Sequence, residues 1–141
     1  MASESGKAIV LDSTCFIQAW KLPDFQRFAL FTTGLVAGEL RSAEASARFS
    51  QVGRVKIRNP SKESVEKAKK LSEKIGDRRL SEADVSVLAL ALELALELPG
   101  AAVATDDYSL QNACSNAGID FFPVSFRGIG KKRKFSSRKL P

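Results

Sequence analysis

Short apolar runs alternate with longer polar–apolar stretches along this chain. Short apolar runs are typical of strands buried in a parallel sheet. They lie at residues 7–11, 28–32, 101–104 and 119–124, and a three-residue alternating run at 55–57 predicts an edge strand. Because these strands alternate with predicted helices, the sequence predicts an α/β fold, a three-layer α/β/α sandwich with a mostly parallel sheet.

The stretches between the apolar runs carry helix-start and helix-stop residues. They predict helices at residues 12–20, 34–52, 60–75, 81–98 and 107–117. Within the second helix, Leu35 and Leu40 are expected to face the core. The helix at 81–98 is apolar nearly all round, so it should be buried against the sheet. Ser81 and Asp84 at its start have the spacing of a capping box.

Charge divides the 141 residues into two parts. Residues 1–126 hold fifteen basic and sixteen acidic side chains and carry −1, whereas residues 127–141 carry +7 with no acid. We therefore expect one domain over residues 1–126 and a basic C-terminal tail over residues 127–141, where glycine and serine favour mobility. The tail either contacts phosphate groups or is only a solubilising end.

The composition excludes several kinds of active site. The chain has no histidine, which rules out Ser-His and Cys-His triads and histidine-ligated metals. Cys15 and Cys114 are too few and too far apart for a zinc site, so we expect no zinc. Two free thiols fit a reducing cytoplasm. The apolar stretch at 85–98 is too short and too charged to span a membrane, and residues 1–7 lack the apolar core of a signal peptide.

Five acidic residues follow predicted strands or begin predicted helices. Asp12 follows the first strand, Asp106 and Asp107 follow the strand at 101–104, and Glu39 and Asp84 lie in the first turns of helices. The carboxyl ends of parallel strands meet at one edge of a sheet, where ligands gather. Helix capping explains each aspartate taken singly, and Glu39 taken singly is an ordinary exposed glutamate.

Taken together, these acids predict a metal site. Carboxylates that converge repel one another and raise one another's pKa values unless a cation lies between them. An all-oxygen ligand set without histidine suits Mg²⁺ or Mn²⁺. Such a cluster beside a basic segment indicates phosphate chemistry, so the residues alone predict a carboxylate–metal phosphodiesterase.

Four stretches then resemble a PIN-domain nuclease in order and spacing, over residues 8–124. They are Val-Leu-Asp-Ser-Thr-Cys-Phe-Ile from residue 10, Gly-Glu-Leu from residue 38, Leu-Ser-Glu-Ala-Asp from residue 80 and Thr-Asp-Asp-Tyr-Ser-Leu-Gln-Asn from residue 105. The resemblance implies an endoribonuclease that uses Mg²⁺ or Mn²⁺. It implies that the catalytic metal-site acids are Asp12, Glu39, Asp84 and Asp106. It further implies that Asp107 assists at the metal and that Ser13 and Thr105 supply supporting hydroxyls.

Within that family, the Thr-Asp-Asp-Tyr stretch is most similar to the archaeal branch related to the endonuclease that matures the 3′ end of small-subunit rRNA. Members of that branch continue into a zinc ribbon with paired cysteines, but glycine and basic residues stand at 125–131 here. The implied partner is RNA, as rRNA or a pre-ribosomal particle, with a homodimer as a further expectation. The residues that we expect to contact RNA are Arg127, Lys131, Lys132, Arg133, Lys134, Arg138 and Lys139.

Two alternatives stay open at this point. One is a toxin ribonuclease of a toxin–antitoxin pair, which has the same fold and a similar size. The other is a non-catalytic RNA-binding assembly factor. The Thr-Asp-Asp-Tyr motif and the basic tail favour RNA processing over the toxin, and the retention of all four acids favours an enzyme over an inactive relative.

Overall fold

A five-stranded, all-parallel sheet forms the centre of the protein, in the order β3-β2-β1-β4-β5. The structure is a computed structural model that describes residues 7–17, 28–40, 55–75 and 80–124. The strands are β1 (Ala8–Leu11), β2 (Ala29–Thr32), β3 (Val55–Ile57), β4 (Ala102–Ala104) and β5 (Asp120–Phe122). Together with its helices the sheet makes a three-layer α/β/α sandwich, which confirms the predicted fold class.

Strand β1 is the central strand, and all four of its side chains are buried. Val10 lies opposite Phe31 of β2 on one side and Val103 of β4 on the other. Strand β3 lies at the edge of the sheet, as its short alternating pattern predicted. The parallel arrangement puts the ends of β1, β2 and β4 side by side, so the residues that follow these strands become neighbours.

Five helices connect the strands within the described ranges. They are α1 (Thr14–Ile17), α2 (Gly34–Gly38), α3 (Lys62–Ile75), α4 (Glu82–Glu97) and α5 (Tyr108–Ala117). Helix α4 is the most buried, and it packs against β1, β4 and the helices α2, α3 and α5. Its predicted capping box is present at Ser81 and Asp84. Helix α5 ends at Gly118, whose φ of 75° is the left-handed conformation that glycine adopts without strain.

The prediction for residues 34–52 is wrong where the structure describes them. Helix α2 ends at Gly38, and Glu39 and Leu40 lie beyond it. Glycine is a poor helix former, and α2 both begins and ends with one, at Gly34 and Gly38, with only three residues between them. Leu40 is buried as expected, but Leu35 is 48% exposed because the short helix places it on the outer side. Residues 41–54 lie outside the described ranges.

An ion-pair network joins β3 and α3 to α4. Arg58 reaches Glu93 at 3.1 Å and Glu97 at 2.7 Å. Glu93 also accepts hydrogen bonds from the Ser61 amide at 2.8 Å and the Ser64 hydroxyl at 2.9 Å. These contacts hold the start of α3 beside the second half of α4.

Several expectations fall on residues that the structure does not describe. The predicted helix at 12–20 is seen as α1 up to Ile17, and its remainder lies outside the described ranges. The boundary at residue 126 and the seven basic residues of the tail lie outside them as well. Among the described helices, none is long and apolar enough to cross a membrane.

Candidate active site

Asp12 is a buried carboxyl group at the end of the central strand. It follows β1 directly, its amide donates to the Ala104 carbonyl at 3.1 Å, and the residue is only 3% exposed. The Thr105 hydroxyl donates to Asp12 Oδ2 at 2.7 Å, and the Thr14 hydroxyl approaches the same oxygen at 3.4 Å. The ends of two neighbouring strands thus hold this carboxylate in one orientation.

The surroundings of Asp12 favour its protonated form. Burial raises the pKa of Asp12 to about 6 from its ordinary value of 3.8. The Thr105 hydrogen bond and the Ser13 amide oppose this rise, whereas the negative charges of Asp84 and Asp107 add to it. Asp12, Asp84 and Asp107 therefore lie near enough to one another to repel.

Asp84 is brought to the same place by the first turn of α4. The Ser81 amide donates to Asp84 Oδ2 at 3.2 Å, and the Asp84 amide donates to the Ser81 hydroxyl at 3.1 Å. The pKa of Asp84 is raised, first by burial and then by the charges of Asp107 and Glu39. A carboxylate has two oxygens, so the capping role of one does not exclude a ligand on the other.

Glu39 follows α2, which a contact between two hydroxyl groups ties to the start of α4. Thr33 follows β2 and caps α2 by accepting from the Val36 amide at 3.2 Å. Its hydroxyl lies 2.8 Å from the hydroxyl of Ser86, which itself donates to the Ala83 carbonyl at 2.6 Å. This contact fixes the short helix beside the start of α4. Glu39 lies just past the end of α2 and is exposed, and its negative charge contributes to the raised pKa of Asp84.

The two neighbouring aspartates after β4 have different partners. Asp107 caps α5 by accepting from the Ser109 amide at 2.9 Å, and its charge acts on both Asp12 and Asp84. Asp106 instead accepts from the Val124 amide at 2.6 Å, which ties the end of β4 to the residues after β5. Its charge acts on the buried thiol of Cys15. Asp107 therefore lies near Asp12 and Asp84, and Asp106 supports the sheet through its contact with Val124.

We call Asp12, Glu39, Asp84 and Asp107 the acid cluster. Of the two residues expected to support it, Thr105 does so through its hydroxyl, and Ser13 does so through its backbone amide. Sequence reasoning missed Thr33 and Ser86, which position Glu39 and Asp84. A threonine directly after a strand and a serine on the buried face of an apolar helix were the signals that could have found them.

The donor set fits a hard divalent cation. All four groups are carboxylates. Burial and then mutual repulsion raise the pKa values of Asp12 and Asp84, and a cation would relieve that repulsion. Within the described ranges, no three such side chains form a ready-made cage for a metal ion. Mg²⁺ does not need one, because it is held by one or two carboxylates together with water and substrate phosphates. The cluster is therefore compatible with a cation that binds together with a phosphodiester.

Comparison with known proteins identifies the family of this fold. A family model described as the PIN domain of ribonuclease matches residues 9–94, more than half of the chain. The chain belongs to the PIN-domain ribonuclease family. Its matched range contains three members of the acid cluster, Asp12, Glu39 and Asp84.

Individual relatives cover most of the chain. The protein is 37% identical over 131 residues to Endoribonuclease Nob1 of Pyrococcus abyssi (90% of this chain, 74% of the relative). It is 35% identical over 115 residues to Endoribonuclease Nob1 of Archaeoglobus fulgidus (79% and 69%). It is also 38% identical over 128 residues to Ribonuclease VapC3 of Aeropyrum pernix (86% and 89%). The Nob1 similarities support the archaeal branch that the motifs indicated.

Membership of this family makes RNA the expected substrate class. PIN-domain nucleases use divalent metal ions, and the acid cluster is the place in this PIN domain where the described carboxylates converge. Both cysteines are free and buried, and burial raises both thiol pKa values. Cys15 donates to the Ala104 carbonyl at 3.3 Å and so serves the packing of β4.

Proposed function

We propose that this PIN domain is a Mg²⁺- or Mn²⁺-dependent endoribonuclease that hydrolyses RNA phosphodiester bonds at the acid cluster. The observation that carries the proposal is the convergence of carboxylates around Asp12 at the ends of β1 and β4. Burial and the neighbouring charges raise the pKa of Asp12 to about 6, and carboxyl groups with such perturbed pKa values cluster at functional sites. The family membership supplies the reaction class.

The residues of the cluster have separate parts in this proposal. Asp12 is held by Thr105 and by the Ser13 amide, so its carboxylate has one fixed orientation. Asp84 and Asp107 are oriented by the helix caps that they form. Glu39 is the most exposed member of the cluster. When bound, a divalent cation lowers the pKa of a water molecule and stabilises negative charge on the phosphate.

Asp106 takes a positioning part in this assignment. Its carboxylate accepts from the Val124 amide and stands next to Asp107 in the chain. We propose that it orients the loop that presents Asp107, and that the four ligand candidates are the members of the acid cluster. The sequence alone does not separate the two aspartates, because they occupy adjacent positions in one motif.

We propose rRNA of the small ribosomal subunit as the substrate, within a pre-ribosomal particle in the cytoplasm. This proposal rests on the similarity to the archaeal branch and on the basic tail. We further propose that the chain consists of a nuclease domain over residues 1–126 and a tail over residues 127–141 that contacts RNA. The free, buried thiols of Cys15 and Cys114 are compatible with a reducing compartment. A homodimer stays a prediction. A toxin ribonuclease would cleave a different RNA, so identifying the bound RNA distinguishes rRNA processing from the toxin function.

The first experiment tests the chemistry. Purified full-length protein is incubated with labelled single-stranded RNA and Mn²⁺, beside the Asp12→Asn and Asp84→Asn variants and a Glu66→Gln control on the exposed face of α3. We expect internal cleavage by the native protein and the control, and loss of cleavage in both aspartate variants. Equal cleavage by native protein and Asp12→Asn would reject the proposed site.

The second experiment tests the substrate. The Asp12→Asn variant is crosslinked to RNA in cells, and the bound RNA is sequenced. We expect enrichment of small-subunit rRNA near its 3′ end. Enrichment of tRNA or mRNA instead would reject rRNA processing in favour of the toxin type, and would leave the chemistry of the first experiment standing.

A further inference from the structure

One aromatic side chain stands apart from the rest. Tyr108, the first residue of α5, is 83% exposed. The other aromatic side chains of the described ranges are buried or pack against the core; they are Phe16, Phe28, Phe31, Phe121 and Phe122. The helix does not need the Tyr108 ring for its cap, because Asp107 accepts from the Ser109 amide. A ring in this position contributes little to folding.

Tyr108 lies beside the acid cluster. It follows Asp107 directly, so their Cα atoms are about 3.8 Å apart. The charge of Asp107 acts on both Asp12 and Asp84. Tyr108 is therefore at the start of α5, next to a member of the acid cluster and on the rim of the sheet where the strands β1 and β4 end.

The charge of this rim limits which side chains can bind RNA there. Carboxylates repel a phosphate backbone, and a lysine or arginine among them would pair with the acids and compete with a divalent cation. An aromatic ring binds the face of a nucleobase without charge, and such stacking contributes substantially to binding single-stranded nucleic acid. The faces of a base in a duplex are covered by its neighbours, so a stacking ring selects unpaired RNA.

We propose that the exposed ring of Tyr108 is a stacking platform for one unpaired nucleobase of the RNA, beside the scissile phosphate. The inference rests on the proposed function and adds to it the binding of one base and a preference for single strands. The platform binds through its ring and not through its hydroxyl group, so phenylalanine retains it and alanine removes it.

The test compares Tyr108→Ala, Tyr108→Phe and Leu96→Ala in the full-length protein. Leu96 is also 83% exposed but lies near the far end of α4, so it controls for loss of an exposed apolar side chain. Affinity for a short, fluorescently labelled oligouridylate is measured in EDTA, where cleavage does not interfere. We expect Tyr108→Ala to weaken binding between about 5-fold and about 150-fold, and the other two to stay within about 2-fold of the native protein.

A second series locates the base. Oligouridylates with one abasic nucleotide at successive positions are bound to native protein and to Tyr108→Ala. We expect one position at which the missing base weakens binding to the native protein but not to the variant. Unchanged affinity in Tyr108→Ala, or an equal loss in Tyr108→Phe, overturns the platform. A change of oligomeric state in Tyr108→Ala with no change in RNA affinity also overturns it, and points to a protein contact.

Cleavage with Mn²⁺ is measured on the same samples to separate this inference from the proposed function. Cleavage by native protein together with native affinity in Tyr108→Ala rejects the platform alone. Absence of cleavage by native protein, with a loss of affinity in Tyr108→Ala, rejects the catalytic proposal and supports the ring as an RNA contact.

Discussion

The Thr105 hydroxyl donates a 2.7 Å hydrogen bond to the buried carboxylate of Asp12, and so joins the ends of β4 and β1. Thr105 is itself fully buried, and its hydroxyl also accepts from the Asp107 amide at 3.0 Å. One hydroxyl thus touches two members of the acid cluster. It fixes the orientation of Asp12 and the backbone that presents Asp107.

Replacing Thr105 by valine should therefore reduce catalytic activity by more than any loss of stability explains. The Thr105 hydrogen bond lowers the pKa of Asp12, so its loss raises that pKa further. Protons and a divalent cation compete for the same carboxylate. We expect Thr105→Val to reduce activity about 10- to 100-fold and to move the acid limb of the pH–activity profile to higher pH. Thr105→Ser keeps the hydroxyl and is the control; matching profiles for the two variants would contradict this role.

The raised pKa of Asp12 predicts how the stability of the folded protein changes with pH. The unfolded chain has the ordinary value of 3.8, and the folded protein has about 6. Protonation of Asp12 therefore favours the folded state. The favourable contribution is full below about pH 4 and is lost as the pH rises through about 6, a loss of about 3 kcal/mol if fully expressed.

The Asp12→Asn variant is neutral at every pH and should not show that loss. In urea unfolding with EDTA, we expect the variant to be more stable than the native protein at pH 7 and to have no such advantage at pH 4. It should also lack cleavage activity. If Asp12 were only a helix cap, the asparagine side chain would replace it in that role, and the variant would match the native protein in stability at both pH values.

Asp106 and Asp107 should respond differently to the same substitution. Asparagine caps a helix as well as aspartate does, so Asp107→Asn should keep α5 and remove the charge that acts on Asp12 and Asp84. We expect its activity to fall about 100-fold, the order that loss of one charge-stabilising group costs in other active sites.

In Asp106→Asn the amide oxygen can still accept from the Val124 amide. We expect this variant to retain activity within about tenfold, with thermal stability near that of the native protein. Asp106→Ala, which leaves the buried Val124 without this acceptor, should lose about 1–3 kcal/mol of stability. A larger loss of activity in Asp106→Asn than in Asp107→Asn would reverse the two assignments.

The sequence predicted the elements with strong local signals. Strand β1 is a continuous apolar run, and α4 begins at a capping box, so both were predicted nearly to the residue. The all-parallel sheet followed from the alternation of strands and helices. The convergence of Asp12 and Asp84 at one edge followed from their positions after a strand and at a helix start.

Details that depend on side-chain direction were beyond the sequence. Asp106 and Asp107 are adjacent and chemically identical, and only the turn after β4 gives them different partners, the Val124 amide for Asp106 and the Ser109 amide for Asp107. The contact of Thr33 with Ser86 joins residues 53 positions apart, so local patterns can single out each residue but not their contact. Helix α2 ends at Gly38 although periodicity favoured a longer helix.

The basic tail allows a prediction that depends on charge alone. Residues 127–141 carry seven positive charges and no negative one, whereas residues 1–126 carry −1. Each phosphate neutralised by a lysine or arginine releases a counterion, which contributes about 0.7 to the slope of log affinity against log salt for single-stranded RNA. If all seven residues contact RNA, removal of 127–141 should reduce that slope by about five.

We therefore expect the chain truncated after residue 126 to bind single-stranded RNA more weakly than the full chain at low salt, with the difference shrinking as salt is added. Mn²⁺ binding by the acid cluster should persist, because none of the cluster's residues lies in the tail. A variant in which the seven basic residues are replaced by glutamine keeps the length of the chain and controls for the truncation itself. Equal affinity of the truncated and full chains at low salt would show that the tail serves solubility, and the RNA contacts would then have to come from the domain.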